Sequence, residues 1–492
     1  MQIKVKNFGP LRNVEIKIKP MTVIIGKNNL GKSYTAQLFY VLLSVVRGLS
    51  RGLDYDRRIG AQERYVFREL EIKKLVSQIK REKLDDQKIV SSLADMIIRM
   101  NCKILQTITN LELERAFGTI VSKLININAS SSQIECDFFS GGILKIELKK
   151  REQVVVQFHL SEVKLQELAD KYSSLLLVMR QKRQKQRYIE ELADKMNYDL
   201  FSLHEELMTT PEVEPSYYVR RRMQGPYAYY VPAGRGGLIE SFDTIVDSLI
   251  SVSPLVPVRG LEIAPLPGMA AQFFTVLRGL SGSKTPLSRL TSKLFKELLE
   301  GEIRLVTVRL KKGARPLRTR MIYHFRLGNK YASVDLIHAA SGIKEIAPIY
   351  LLVQQLVYPG HFLIIEEPES HLHPGAQCKF ATILATLAAN KVSIFATTHS
   401  TILLRKIAHS LRGKMEDNKT LLSFGQIAMY WLRDGKYGST AKPLRISRSG
   451  IIDEIPTFDE VVSELYEEEI KVHDETQKEE RRAIENIGET EA

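Results

Sequence analysis

Cysteine is scarce: the 492 residues contain three, Cys102, Cys136 and Cys378, far apart and without Cys-x-x-Cys spacing. That argues against a disulfide framework and a zinc site, and it fits a reducing, intracellular compartment. Long apolar runs are also missing. The longest, Leu38 to Val46, is broken by Ser44 and is far too short to span a bilayer. The N-terminus carries Lys4 and Lys6 among strand-like residues instead of a basic region followed by a long apolar core, so no signal peptide is legible. No repeat with a period of about 20 to 50 residues is visible. A soluble, cytoplasmic protein without membrane association is expected. The chain is long enough for two or three domains, and its 44% hydrophobic residues indicate a globular protein with a large core.

Charge is unevenly spread. Residues 457 to 492 hold 13 Asp or Glu against four Lys or Arg, so the remaining body carries +23 of formal charge beneath a total of +14. A basic surface of that size suits a polyanion such as nucleic acid, although solubility alone also produces basic chains. The acidic tail could shield the basic face. Acids are absent from Arg304 to Lys330, whose strand-like halves flank Gly313-Ala314-Arg315-Pro316. This reads as a hairpin with a charged tip, and Lys311, Lys312, Arg315 and Arg318 are the first candidates for a nucleic-acid contact, duplex DNA above all. Two weaker candidates are the helical patch from Arg180 to Arg187 and the Tyr-Arg interleaving from Tyr217 to Tyr230, each of which also reads as ordinary surface or packing.

Strand signals open the chain. Ile3–Lys6 and Val14–Ile18 alternate around a Gly9-Pro10 turn, and Met21–Ile25 is an apolar, β-branched run that reads as a buried strand. It leads into Gly26-Lys27-Asn28-Asn29-Leu30-Gly31-Lys32-Ser33, which fits the phosphate-loop pattern, and Tyr34–Val46 then reads as helix. Strand, loop and helix stand in the order that phosphate binding needs. Gly26 and Gly31 let the backbone curl so that its N–H groups converge on phosphates, and the following helix N-terminus adds positive potential. Lys32 would reach the β and γ phosphates of ATP, and Ser33 would offer its hydroxyl to Mg²⁺. Lys27, Asn28, Asn29 and Tyr34 complete the expected contacts.

From about residue 51 to 130 the composition is helix-forming with few glycines, Ile134–His159 alternates like a hairpin around Gly141-Gly142, and Glu162–Met208 is helical and charged. Downstream, His361–Ile365 is a second apolar strand that ends in Glu366-Glu367-Pro368-Glu369. The first carboxylate can hold the Mg²⁺ water shell and the second can orient and deprotonate an attacking water, with strand alternation sending the two to opposite sides. Val392–Ser400 is a third such strand, and it places His399 at its end, where it could donate to a γ phosphate.

In this order the phosphate loop, Ala340-Ser341-Gly342-Ile343-Lys344, Ile364-Ile365-Glu366-Glu367-Pro368 and His399 resemble an ABC-type ATPase head. More narrowly, the chain resembles the SMC-like and OLD-like ATPases of DNA maintenance and phage defence. Asn7-Phe8-Gly9-Pro10-Leu11 is similar to their openings, and Glu366 to Pro374 is similar to the end of their Walker B strand. The resemblance implies an α/β P-loop fold of the ABC-head type with an N-terminal antiparallel sheet and an inserted, mainly helical arm. The implied division is 1–50 for the first part of the head with Walker A, 51–225 for the arm with its hairpin, 226–456 for the rest of the head, and 457–492 for the acidic tail.

By the same resemblance Gly26, Gly31, Lys32 and Ser33 are Walker A contacts, Glu366 is the Walker B carboxylate and metal-side ligand with Ser33, Glu367 is the catalytic base, and His399 is the switch histidine. Ser341 and Gly342 would form the signature that completes the nucleotide site of an opposite subunit, which implies a homodimer or higher oligomer with ATP between heads. The signature departs from the usual pattern: Ile343 stands at the second Gly and Lys344 at the Gln, where it could supply an extra cation to the neighbouring γ phosphate or simply be exposed. Glu366 also replaces the usual Asp, and no Q-loop glutamine can be placed.

Relatives with a fused nuclease carry a Toprim domain after the ATPase. About 100 residues or fewer follow His399, too few for one, so a separate effector, such as a Toprim-type nuclease, is expected. A motor or sensor of this class leads, a nucleotide-dependent scaffold that scarcely hydrolyses ATP is the alternative, and a transporter ATP-binding subunit ranks below both. His371 and His373 suggest chelation, but no further ligand cluster accompanies them. Arg235, within Pro232-Ala233-Gly234-Arg235, is open to either a phosphate contact or a structural turn.

Overall fold

The computed structural model describes residues 1–50, 86–137, 142–151, 153–163, 228–241, 268–280, 284–308, 318–412, 422–456 and 458–490, with short isolated pieces between 72 and 245. The described strands are β1 (Gln2–Phe8), β2 (Leu11–Lys17), β3 (Met21–Gly26), β4 (Ser131–Asp137), β5 (Gly142–Lys149), β6 (Gln153–Leu160), β7 (Ala228–Val231), β8 (Gly301–Val308), β9 (Arg318–Leu327), β10 (Lys330–Asp335), β11 (Phe362–Glu366), β12 (Ser393–Thr398), β13 (Ile427–Arg433) and β14 (Ser439–Pro443). The principal helices are α1 (Lys32–Ser50), α2 (Asp86–Phe117), α3 (Gly268–Arg278), α4 (Pro286–Leu299), α5 (Ser341–Gln355), α6 (Pro374–Ala389), α7 (Thr401–His409) and α8 (Phe458–Thr490). None of the described helices is long and apolar enough to cross a membrane.

Eleven strands form one sheet in the order β6-β5-β4-β1-β2-β14-β13-β3-β12-β11-β7. Its heart is parallel: β7, β11, β12, β3 and β13 run the same way, and beyond β13 the sheet continues with β14 antiparallel to it, β2 parallel to β14, and β1, β4, β5 and β6 in antiparallel pairs. Strands β3, β11 and β12 are buried on both faces, which explains why they read as unbroken apolar runs instead of alternating. Phe362 and Phe395 pack on Phe39 of α1, whereas Leu363, Ile365 and Ile394 share a separate core cluster with residues of α5 and α6. Strands β1 and β2 alternate over Ile3–Val5 and Val14–Ile16, as a half-covered antiparallel pair does, and the alternation slips by one residue toward the turn, where Phe8 and Leu11 are buried.

Two sequence expectations take a different form. The segment read as a hairpin around Gly141-Gly142 is a three-stranded meander, β4-β5-β6, and β4 pairs with β1 in the register Ile3↔Cys136, so it widens the main sheet. The alternation of β4 and β5 carries no information about a third strand or about a partner some 130 residues upstream. The basic hairpin is present as β8 and β9, paired from Gly301↔Phe325 to Val308↔Arg318, but β10 joins β9 to make a separate three-stranded sheet. The acidic tail is one helix, α8.

Candidate active site

Thr397 pairs with both Glu366 and Ile24, so β11, β12 and β3 end together and deliver three loops to one edge. A ligand in an open parallel sheet sits at this C-terminal edge. The phosphate loop leaves β3 there and enters α1 at Lys32. Gly31 has φ +86°, and a Cβ on it would stand 2.6 Å from the Leu11 side chain; a Cβ on Gly26 would stand 2.8 Å from the Leu432 carbonyl. Both glycines are therefore required by close packing. Asn29 is also left-handed at φ +62°. Lys27, Asn28, Asn29 and Ser33 are exposed. The Tyr34 ring packs against Phe8 and Phe117, which leaves its backbone N–H at the open helix end as the group it presents to the loop.

Lys32 is 7% exposed, and its Nζ donates to the carbonyls of Gly26 at 2.9 Å and Lys27 at 2.7 Å. Burial lowers its pKa to about 8, while Glu367, Glu369 and Glu366 push the other way. A partly desolvated cation beneath a backbone cradle fits an anionic phosphate. Glu366 closes β11 and is buried; the Tyr230 hydroxyl donates to its Oε1, the Ala233 N–H donates to Oε2 at 3.3 Å, and the Ser33 side chain is close enough to favour its charged form. Burial raises its pKa, with those hydrogen bonds opposing. Ser33 and Glu366 are thus brought together, the oxygen pair suited to Mg²⁺.

Glu367 departs from the expected alternation. Its N–H still donates to the Thr397 carbonyl at 2.8 Å, as the last bond of the β11–β12 ladder, and its φ of +42° turns the chain out of the strand at this residue. The left-handed backbone, an uncommon state for a residue with a Cβ, is what aims this carboxylate. His399 Nε2 lies 3.7 Å from Glu367 Oε1. Burial lowers the His399 pKa, Lys32 adds to the effect and Glu367 opposes it, so the imidazole is neutral near pH 7.

Ser341 and Gly342 form the first turn of α5. Ser341 is exposed, and Gly342 sits against the 371–372 segment, where a Cβ would lie 3.1 Å from the His371 carbonyl. Ile343 and Lys344 both donate to the Ala340 carbonyl, leaving the preceding N–H groups open at a helix N-terminus. Lys344 is neither exposed nor free to act as a mobile cation, because its Nζ is paired with Glu240 of the same chain.

A family of AAA ATPase domains matches residues 1–228. A second, described as "AAA domain, putative AbiEii toxin, Type IV TA system", matches residues 158–405, just over half of the chain. The chain belongs to the AAA ATPase family. Among solved structures, it is similar to an SMC head bound to the C-terminal winged-helix domain of ScpA, with 12% identity, 91% of this chain and 98% of the other covered, and a TM-score of 0.39. It is also similar to the SMC head domain from Thermotoga maritima, with 12% identity, coverage of 90% and 98%, and a TM-score of 0.36. A third is an SMC head with coiled coil and joint derived from Pyrococcus yayanosii, at 10% identity, 90% and 96% coverage and a TM-score of 0.38. No curated protein matches the chain.

This AAA ATPase also uses residues to which sequence reading gave no role. Tyr230 holds Glu366, and its only signal was a tyrosine-rich strand. Glu369 is half-buried and accepts from the N–H groups of His399 at 2.6 Å and Ser400 at 3.2 Å, so it fixes the backbone from which the imidazole projects. Arg235 is fully buried against the carbonyls that follow β11, which removes it from contact with an external phosphate. His373 caps α6 by accepting from the Gly375 N–H at 3.2 Å, and no cluster of three metal-binding side chains occurs among the described residues.

Lys311, Lys312 and Arg315 lie outside the described residues, as do Arg180–Arg187 and Tyr217–Arg222, while Arg318 opens β9. Of the same basic run, Arg304 pairs with Glu302 at 2.8 Å and Arg320 donates to Asp335 at 2.7 Å.

Proposed function

We propose that the chain is an SMC-like or OLD-like ATPase head that binds and hydrolyses ATP with Mg²⁺ between two copies of itself, acting with a separate effector on duplex DNA in maintenance or anti-phage defence. One observation carries the proposal: Lys32, Ser33, Glu366, Glu367 and His399 meet at one sheet edge, while Ser341 and Gly342 open an exposed helix N-terminus. In this reading Gly26 to Tyr34 cradle the phosphates, and Ser33 with Glu366 hold the metal. Mg²⁺ would supply charge neutralisation at the transferring phosphoryl group. Glu367 takes the proton of the attacking water, and neutral His399, 3.7 Å from Glu367, donates a hydrogen bond to the γ phosphate. Each Ser341-Gly342 turn serves the nucleotide of the opposite copy. The proposed division remains 1–50, 51–225, 226–456 and 457–492, with the compartment cytoplasmic.

Glu367→Gln tests the chemistry. Turnover is expected to fall by about 10²–10⁴-fold with nucleotide binding retained, and ATP should then drive a stable dimer measurable by sedimentation. Lys32→Ala should abolish nucleotide binding. Unchanged turnover in Glu367→Gln would remove that residue as the base.

A second reading is a nucleotide-dependent scaffold with little hydrolysis. It is favoured by the engagement of Lys344 with Glu240 and by burial of Glu366, which disfavours its ionised, metal-binding form. ATP turnover measured with and without duplex DNA separates the two: stimulation supports the motor or sensor, and tight binding with negligible turnover supports the scaffold.

A further inference from the structure

Arg235 is among the largest fully buried side chains in the described structure, and its contacts join two parts of the proposed site. Toward α5, its Nε donates to the Glu345 backbone carbonyl at 2.8 Å and lies 3.2 Å from Glu345 Oε2. Toward the catalytic edge, Nη1 donates to the Glu366 carbonyl at 2.9 Å and Nη2 to the Glu367 carbonyl at 3.3 Å. A guanidinium is a rigid planar fork, so these two sets of partners keep a fixed mutual geometry while both remain bound.

Glu345 completes the joint. It is buried and accepts from the Gly236 N–H at 3.1 Å; a Cβ on Gly236 would stand only 2.8 Å from its Oε1, so the glycine permits the approach. One residue earlier, Lys344 pairs with Glu240, so two opposite-charge pairs lock the first turns of α5 to the helical segment 235–240. Glu345 is one helical turn from Ser341, and the Arg235 fork ends on the peptides that carry the Glu366 and Glu367 side chains. Displacing the start of α5 must either carry those peptides along or strip partners from a buried ion pair, which is strongly unfavourable.

We infer that Arg235 and Glu345 are positioning residues that couple the N-terminus of α5 to the backbone of Glu366 and Glu367 within one chain. The pair thereby makes the aim of the proposed catalytic base depend on where the dimer-facing turn sits. This rests on the nucleotide-site reading, and the experiment separates the failure of one from failure of the other.

Hydrogen exchange of the full chain with and without Mg-ATP provides the test. A Ser341→Arg background blocks the exposed first residue of α5 from contact across a dimer, so any remaining α5 response is transmitted inside the chain. In that background, ATP should slow exchange in 26–33 and change exchange in 341–347 by about fivefold or more. Adding Glu345→Gln should leave the response of 26–33 intact and abolish that of 341–347; adding Arg235→Lys, which keeps the charge but loses the fork, should weaken it. If Glu345→Gln does not fold, Glu240→Gln, which removes the outer pair, should likewise weaken the α5 response. A protected phosphate loop with an α5 response that is absent from the background, or that survives these substitutions, overturns the coupling alone. No protection of 26–33 in the wild-type chain overturns the nucleotide site and the coupling with it.

Discussion

Lys32 carries its charge under tension, because burial lowers its pKa to about 8 while a bound phosphate would raise it. Nucleotide affinity should therefore be flat up to about pH 8 and then fall by up to about tenfold per pH unit, since binding must take up a proton above that point. Calorimetry at pH 9 in buffers of different ionisation enthalpy should register that uptake, and its absence would mean that Lys32 stays charged without ligand. The neighbouring Glu366 depends on Tyr230. Tyr230→Phe leaves a buried carboxylate short of a donor and should lower stability by about 1–3 kcal/mol. Thermal unfolding should show a greater loss at pH 8 than at pH 5, because the ionised carboxylate needs the donor and the protonated one does not. These two residues differ in legibility. Lys32 stands in a motif whose spacing encodes its role, whereas Tyr230 acquires its role only because β7 lies beside β11.

Elements were legible where burial imposes a pattern. The runs of β3, β11 and β12 are apolar throughout because both faces are covered, and those were the strands that the sequence identified and that hold the site. Glu367 shows where that reasoning stops. Strand alternation cannot foresee that the chain leaves the sheet at this residue, since a left-handed backbone is set by the packing around it and not by its own side chain. Contacts between elements were equally hidden. Gly268, the first residue of α3, would place a Cβ 1.5 Å from the Arg115 carbonyl in α2. Gly268→Ala should destabilise the fold by about 3 kcal/mol or more, detectable as a lower denaturant midpoint. In the sequence that glycine is simply punctuation after Pro267.

At the scale of the whole molecule, the charge distribution and the sheet make separate contributions. The +23 body favours a polyanion, and the basic β8–β9 hairpin is the first place to test it. Replacing Lys311, Lys312 and Arg315 together by Ala should reduce the salt dependence of duplex binding by about three phosphate contacts, each worth about 0.9 in the logarithmic slope. An unchanged slope would move the contact elsewhere on the chain. Order along the sequence also gave the phosphate loop, the paired carboxylates and the histidine as one site, because each follows an apolar strand and parallel strands end on a common edge. It could not give the eleven-strand order, in which β1 pairs with β4 and β13 lies beside β3, since the sequence separations are long and a side-chain pattern names a face without naming a neighbour. The sequence by itself determined the proposed ligand chemistry, because phosphate and metal binding require particular residue types at short fixed spacings. Only the tertiary structure decided that Arg235 and Glu345 join α5 to the catalytic edge, because a buried ion pair is made by packing that brings distant segments within hydrogen-bond reach.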